Sequence, residues 1–301
     1  MDTANRGPAL LDARAATVML GCCLIWGVGL VMVKIANTGI SPVMNAGLRS
    51  LLAGVVLVAW AKWRGIALLS RDGTWLAGLL CAVFFALEFV TLYLGLAQTT
   101  VSRGTIFLHC APFVAALGEH FLVPGHRLSG IRALGLVAAF IGMVIALGEG
   151  FGGAGSGALM GDFLCLAAGV FWGLTTVVIK TTPLARAPAE KTLLLQLGFS
   201  VPMLFGWSVL SGEAGVTNLS APVIGALLYT VLLVVVVGYT TWFWLMRTYS
   251  VASLHAFTFL TPILGVISGH VLLGERLGPA AFAGLALVAL GIYLVNRPSR
   301  A

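Results

Sequence analysis

The chain has 301 residues, of which 59% are hydrophobic and only 9% are charged. This composition excludes a water-exposed globular protein, because a soluble domain carries roughly 25% charged residues. The apolar residues instead fall in runs of about 17–24, the length that crosses a hydrocarbon core as a helix. The sequence therefore predicts an all-α, polytopic protein of the lipid bilayer.

We predict ten transmembrane helices, arranged as two five-helix halves. The first half covers residues 1–148, a glycine-rich linker covers 149–158, and the second half covers 159–301. The linker contains scattered G-x-G patterns, but no predicted strand precedes them, so a flexible connection is favoured over a phosphate-binding loop. In chain order, the predicted helices cover residues 15–36, 42–61, 74–97, 104–123, 132–148, 159–180, 191–210, 221–246, 254–272 and 280–296.

The two halves resemble one another in sequence. A stretch that begins at Ile25–Trp26–Gly27 and ends at Lys34 is repeated 146 residues later, where it begins at Phe171–Trp172–Gly173 and ends at Lys180. A later pair of prolines repeats at an offset of 150, and two pairs of glycines repeat at an offset of 149. Many transporters are built from two related halves with a site between them.

The distribution of lysine and arginine predicts the orientation. With a cytoplasmic N-terminus, 13 basic residues lie on the inside and three lie on the outside, which fits the positive-inside rule. The net charge of +7 is thereby explained by topology, and no nucleic-acid partner is expected. The outside residues are Lys34, Arg103 and Arg276, and the inside residues are Arg6, Arg14, Lys62, Arg64, Arg71, Arg127, Arg132, Lys180, Arg186, Lys191, Arg247, Arg297 and Arg300.

An odd number of helices in each half makes the second half begin on the opposite side of the membrane. We therefore predict inverted repeats, related by a two-fold axis in the membrane plane. Such symmetry offers a way to open alternately to either side, which favours transport on physical grounds.

Enzymatic and metal chemistry find little support. The five cysteines lie in apolar runs without C-x-x-C spacing, and no H-E-x-x-H motif or serine-nucleophile motif is present. We expect no metal, no cofactor and no enzyme activity, with a membrane-embedded enzyme as a less favoured alternative.

The motifs in both halves resemble the EamA-type branch of the drug/metabolite transporter superfamily. Trp26–Gly27 and Trp172–Gly173 match its first-helix motif, and Pro112 and Pro262 match its fourth-helix proline. Leu273–Gly274–Glu275–Arg276 matches the motif that follows the fourth helix. Within that branch the chain is most similar to bacterial amino-acid exporters of the YddG type, in its length, helix layout and aromatic content.

The first half departs from this pattern at one motif. Pro124–Gly125–His126–Arg127 stands where the family has Leu-Gly-Glu-Arg. An arginine early in the second helix is also typical of the family, and Arg49 fits, whereas its equivalent in the second half is Leu195.

Three ionisable side chains inside predicted spans are candidates for the substrate site, since such groups usually face a cavity or a partner. Glu88 is predicted to bind a substrate ammonium or to carry a proton; a structural hydrogen bond, or an ion pair with Arg49, is the alternative. His109 and His255 are predicted to titrate or to hydrogen-bond a substrate carboxylate. A packing role is the alternative for both histidines.

Aromatic residues complete the predicted substrate site. The resemblance implies that the first, third and fourth helices of each half line a cavity, where aromatic walls would hold an apolar side chain and an ammonium group. Core packing is the alternative for each of them. The predicted wall residues are Trp26, Tyr93, Trp172, Tyr239, Trp242 and Phe259.

Pro112 and Pro262 each remove a backbone hydrogen bond in the middle of a span. As a symmetric pair they are predicted hinges, with static kinks as the alternative.

These features predict an exporter of neutral, apolar or aromatic amino acids that works by alternating access in the bacterial inner membrane. Both termini are expected in the cytoplasm, and the substrate is expected to be a small molecule whose ammonium and carboxylate contact Glu88 and His109. Export of another metabolite or of a lipophilic drug is the alternative. The oligomeric state is left open, with a monomer as the simplest expectation.

Overall fold

The computed structural model describes residues 11–68, 70, 72–96, 98–99, 101–123, 127–148, 158–273 and 279–297. These residues form helices and connecting turns, with a single isolated antiparallel bridge between Ile40 and Val216 as the β-type pairing among them. The helices are α1 (Ala13–Ala36), α2 (Pro42–Trp63), α3 (Thr74–Leu96), α4 (Val101–Leu108), α5 (Ala111–Leu122), α6 (Gly130–Leu147), α7 (Ala158–Thr181), α8 (Ala189–Leu210), α9 (Ala221–Tyr229), α10 (Thr240–Met246), α11 (Val251–Thr258), α12 (Leu260–Leu273) and α13 (Pro279–Val295).

Among the described residues, eight stretches are helical, long and apolar enough to cross a membrane. Two further apolar helices, Val251–Gly265 and Phe282–Val295, are shorter and overlap the last two predicted spans. The prediction of an all-α membrane protein is confirmed, while the count of ten spans stays a prediction. The eight stretches are Ala13–Ala36, Pro42–Trp63, Thr74–Leu96, Arg103–Leu122, Gly130–Leu147, Ala158–Thr181, Ala189–Leu210 and Ala221–Met246.

Local sequence signals set where several helices begin. Asp12 caps α1 by accepting a hydrogen bond from the Ala15 N–H at 2.7 Å, and Ser250 caps α11 by accepting one from the Ser253 N–H. Pro42 occupies the first turn of α2, where the missing N–H costs nothing.

Two predicted spans are each interrupted, and the interruptions are at equivalent positions. The fourth span is divided into α4 and α5 at His109–Cys110, and the ninth is divided into α11 and α12 at Phe259. Pro112 lies three residues after His109, and Pro262 lies three residues after Phe259. Each proline lacks the backbone N–H that would have continued the hydrogen bonds of the helix. Pro112 and Pro262 therefore explain why both helices break 150 residues apart.

The eighth span contains an unexpected π-helical segment. Thr230–Tyr239 adopts π geometry between α9 and α10, and it packs on α1 and α2. Such i→i+5 segments are rare and frequently occur at functional sites. Hydrophobicity alone does not distinguish them from α-helix, so the sequence predicted one continuous helix here.

Glycines bring α6 and α13 into close antiparallel contact. A Cβ added at Gly135 would lie 2.7 Å from the Gly291 carbonyl oxygen, and one added at Gly142 would lie 2.7 Å from the Gly284 carbonyl oxygen. Gly135 is equivalent to Gly284, and Gly142 to Gly291, so exchanging the halves maps one contact onto the other. The pairing therefore obeys a local two-fold axis between the two helices, and small residues allow their backbones to approach.

The other helix pairs between the halves follow the same symmetry. α1 packs on α12, as the equivalent α7 packs on α5, and α1 packs on α9 and the π-helical segment, as α7 packs on α3. Gly27 of α1 abuts Leu264, and Gly173 of α7 abuts the equivalent Val114. The two halves thus interdigitate, and the surfaces that face each other come from equivalent helices.

Polar contacts join the halves at the beginning of α2 and just before α3. At the beginning of α2, the Glu213 carboxylate accepts hydrogen bonds from the Val43 and Met44 N–H groups at 3.0 and 2.9 Å. Just before α3, the buried Lys191 ammonium donates to the Asp72 carboxylate at 2.7 and 2.8 Å. The hydrogen bond from Lys191 holds the pKa of Asp72 well below its usual range.

Candidate functional site

Seven predicted site residues form a continuous line of rings between the two halves. Successive ring centroids are 6.1, 5.8, 5.0, 5.6, 5.7 and 6.2 Å apart. Aromatic pairs favour edge-to-face or offset contacts at centroid separations of about 4.5–7 Å. In order along the line, the rings belong to Tyr239, Trp26, Trp242, His255, Trp172, His109 and Phe259. We call this set the ring line.

The two-fold axis passes through the ring line. His109 and Phe259 are equivalent residues of the two halves, and their ring centroids are 6.2 Å apart. They also occupy the two helix interruptions, where the backbone ladder is broken. Discontinuous helices that meet at the boundary between repeats are typical of transporter binding sites. The interruptions, the axis and the rings therefore coincide.

The polar atoms of the ring line differ in whether they have hydrogen-bond partners among the described residues. Nδ1 of His109 lies 2.7 Å from the Thr105 carbonyl oxygen, and the Thr258 backbone is a second hydrogen-bond partner beside the same ring. Nε2 of His255 lies 3.3 Å from the Thr176 hydroxyl. Nδ1 of His255 and Nε1 of Trp26 are buried and have no hydrogen-bond partner among the described residues.

A second group of predicted residues lies beside the ring line. The Arg49 guanidinium carbon sits 4.7 Å from the Phe89 ring centroid, and the Phe89 ring is 6.0 Å from the Tyr93 ring. Tyr93 lies within electrostatic range of Arg49, Glu88 and Tyr239. Tyr239 is the first residue of the ring line, so the charged group and the rings form one continuous region.

Glu88 occupies a position where the two halves differ. Its equivalent is Gly238, and a Cβ added at Gly238 would lie 2.5 Å from Nε1 of Trp26. Glu88 is half-buried, and its carboxylate has no hydrogen-bond partner among the described residues. The first half thus has a carboxylate at this position, whereas the second half has a glycine that leaves room for Trp26.

The sequence matches a known family over most of its length. Residues 13–148 and 159–297 each match the EamA-like transporter family. The chain belongs to the EamA-like transporter family. It is therefore a multi-pass membrane protein with the two-repeat fold of that family, and the family members are transporters.

Named relatives of the chain are also transporters. It is 29% identical to "Uncharacterized transporter YvbV" of Bacillus subtilis (strain 168), over 97% of this chain and 94% of the relative. It is 25% identical to "Probable amino-acid metabolite efflux pump" of Escherichia coli (strain K12), over 90% of this chain and 91% of the relative. A solved crystal structure with 20% identity superposes with a TM-score of 0.81, covering 94% of this chain and 96% of that chain, which shows a shared fold.

All nine predicted binding residues lie in the ring line or beside it. Their roles in substrate binding stay predictions. The sequence predictions about the motif at 274–276 and about Pro124–Gly125–His126 concern positions outside the described residues, as does most of the linker. Arg49 is the residue that sequence reasoning undervalued. The available signal was its position as a basic residue inside a predicted span, away from both ends.

Proposed function

We propose that the chain exports neutral, apolar or aromatic amino acids by alternating access between its two halves. The observation that carries this proposal is the ring line, which crosses the boundary between the halves at the point where two equivalent helices are interrupted. Rings from both halves would surround an apolar or aromatic side chain, and their faces suit an ammonium group. A single chain supplies the whole region, so a monomer suffices for the function.

The proposed architecture has ten spans in two inverted repeats, 1–148 and 159–301, joined by a linker at 149–158. The antiparallel contact between the equivalent helices α6 and α13 supports inversion, because parallel repeats would place equivalent helices in the same direction. The asymmetry of basic residues supports a cytoplasmic location for both termini. We place the protein in the bacterial inner membrane.

The proposed movement is a rocking of the halves around the ring line. Helix interruptions at His109 and Phe259 divide two of its helices, and the prolines that cause them leave the carbonyls of Leu108 and Thr258 without their helical N–H partners. Pro112 and Pro262 are the proposed hinges, since each of the two helices lacks one hydrogen bond that would otherwise resist bending.

The name of the E. coli relative, a probable amino-acid metabolite efflux pump, supports amino acids as the substrate class. The Glu88 carboxylate supports a substrate with an ammonium group. A lipophilic solute without charge is the second candidate, because the ring line is itself largely apolar.

Uptake into proteoliposomes with a panel of solutes tests the proposal. The panel contains neutral aromatic and aliphatic amino acids, acidic and basic amino acids, and an uncharged lipophilic solute, each measured with and without a pH gradient. We expect flux of neutral amino acids above that of protein-free liposomes. Flux of the uncharged solute alone would favour the second candidate.

Two tryptophans on α10 offer a matched pair of variants for the same assay. Trp242 is 5% exposed and belongs to the ring line, whereas Trp244, on the same helix, is 49% exposed and lies outside it. Trp242→Ala is expected to lower the flux at least about tenfold, since a buried aromatic anchor is worth roughly 2 kcal/mol or more. Trp244→Ala is expected to leave the flux within about twofold, since an exposed surface substitution changes little. Equal effects of the two would contradict the placement of the site.

A further inference from the structure

Arg49 is a buried cation with no anionic partner among the described residues. The residue is 5% exposed, and neither Nε nor Nη2 has a hydrogen-bond partner among the described residues. Lys191, which is also buried, differs from Arg49 because its ammonium is paired with the Asp72 carboxylate. Burying a guanidinium inside a membrane helix is costly unless an anion compensates its charge. Within the described part of the chain, no carboxylate forms an ion pair with Arg49 to offset this cost.

The surroundings of Arg49 leave its hydrogen-bonding edge available. The Phe89 ring lies 4.7 Å from the guanidinium carbon, a contact that stabilises the cation without occupying its N–H groups. The planar guanidinium presents pairs of N–H groups whose geometry matches the two oxygens of a carboxylate.

The Glu88 carboxyl group does not satisfy Arg49. Glu88 lies within electrostatic range of it, yet the two form no ion pair among those found in the described part of the chain. A guanidinium and a carboxyl group thus both lie near the ring line without pairing in the described part of the chain. An α-amino acid zwitterion carries its carboxylate and its ammonium on the same carbon atom, so one solute offers a partner to each of the two side chains.

We infer that Arg49 binds the carboxylate of the substrate, and that it selects solutes that carry an anionic group next to an apolar or aromatic side chain. This inference rests on the proposed function. It assigns the substrate carboxylate to Arg49, whereas the sequence analysis expected His109 to bind it. The Nδ1 donor of His109 is already used by the Thr105 carbonyl, so the neutral histidine has no second N–H for a carboxylate. Leu195, the equivalent of Arg49 in the second half, has no charge, so at this position the first half alone supplies a guanidinium.

The test compares three probes that share a phenyl ring. L-phenylalanine has both charges, phenethylamine lacks the carboxylate, and 3-phenylpropionate lacks the ammonium. Their relative potency is measured as inhibition of labelled L-phenylalanine uptake into proteoliposomes, and independently as thermal stabilisation of the purified protein. We expect the wild type to prefer L-phenylalanine to phenethylamine by at least about tenfold, which is the usual worth of a charge-assisted hydrogen bond.

Arg49→Gln is expected to abolish that preference, so that the potencies of L-phenylalanine and phenethylamine lie within about threefold of each other. Arg49→Lys is expected to retain part of the preference. Arg64→Gln is the matched control, because Arg64 caps the exposed end of the same helix and should leave the preference unchanged. If Arg49→Gln does not fold, the wild type and Arg49→Lys decide the matter. Equal potency of L-phenylalanine and phenethylamine on the wild type would overturn the inference.

The outcomes for Arg49 and for the proposed function are separable. Amino-acid flux with an unchanged preference in Arg49→Gln overturns the inference and leaves the proposed function standing. No amino-acid flux, together with 3-phenylpropionate binding that is lost in Arg49→Gln, supports the inference and overturns the proposed function. If neither L-phenylalanine nor 3-phenylpropionate binds or is transported, the inference is overturned as well.

Discussion

Gly142→Val is expected to destabilise the protein by separating α6 from α13. A Cβ at residue 142 would lie 2.7 Å from the Gly284 carbonyl oxygen and 2.8 Å from the Val288 backbone nitrogen. Both neighbours are backbone atoms, so a helix has to move by more than about 0.5 Å to restore contact distances. Overpacking of this kind costs about 1–3 kcal/mol, and valine offsets only a few tenths of that through its higher helix propensity.

The measurement is the midpoint of thermal unfolding in detergent, which should fall by roughly 2–10 °C for a chain of this size. Gly130→Val is the control on the same helix, because a Cβ there has no neighbour within 4 Å, and its midpoint should stay close to that of the wild type. Gly284→Val should lower the midpoint less when it is added to the Gly142→Val variant than when it is made in the wild type, since the helices of that variant are already separated. Equal shifts for Gly130→Val and Gly142→Val would refute the close antiparallel pairing.

Two further predictions concern the ion pair and the hinges. Asp72→Asn should lower the unfolding midpoint at pH 7, because it leaves the Lys191 ammonium buried beside a neutral side chain. Since the pKa of Asp72 is lowered in the folded protein, its contribution is present above about pH 4 and is lost as pH falls further, so the midpoints of variant and wild type should converge in acid; a difference that persists unchanged in acid would contradict this. Pro112→Ala and Pro262→Ala should slow L-phenylalanine exchange several-fold with little change in its half-saturating concentration, because each restores an N–H that can bridge the helix interruption. Unchanged exchange rates in both variants would indicate static kinks.

The fold was largely predictable because membrane spans follow simple rules. Long apolar runs determine the helices, and the repeated Trp-Gly and proline positions identify the two halves. The helix interruptions at His109 and Phe259 were also implied by Pro112 and Pro262. In contrast, the π-helical segment at Thr230–Tyr239 has no sequence signature, since its valines and leucines suit α-helix and π-helix alike.

The site was predictable in part. Rings at equivalent positions of repeated helices were expected to line one region, and the structure brings Trp26, Trp172 and His255 together as members of one line. The sequence did not reveal which polar atoms have partners, because that depends on contacts between distant helices. The free edge of Arg49 and the local hydrogen bond of His109 became apparent only from those contacts.

The most direct test of alternating access by this protein is efflux of labelled L-phenylalanine from preloaded proteoliposomes. The account predicts efflux faster than from protein-free liposomes, and a further acceleration when unlabelled L-phenylalanine is present outside, because the loaded site returns across the membrane. Efflux equal to that from protein-free liposomes, for L-phenylalanine and for every other neutral amino acid, would contradict the account.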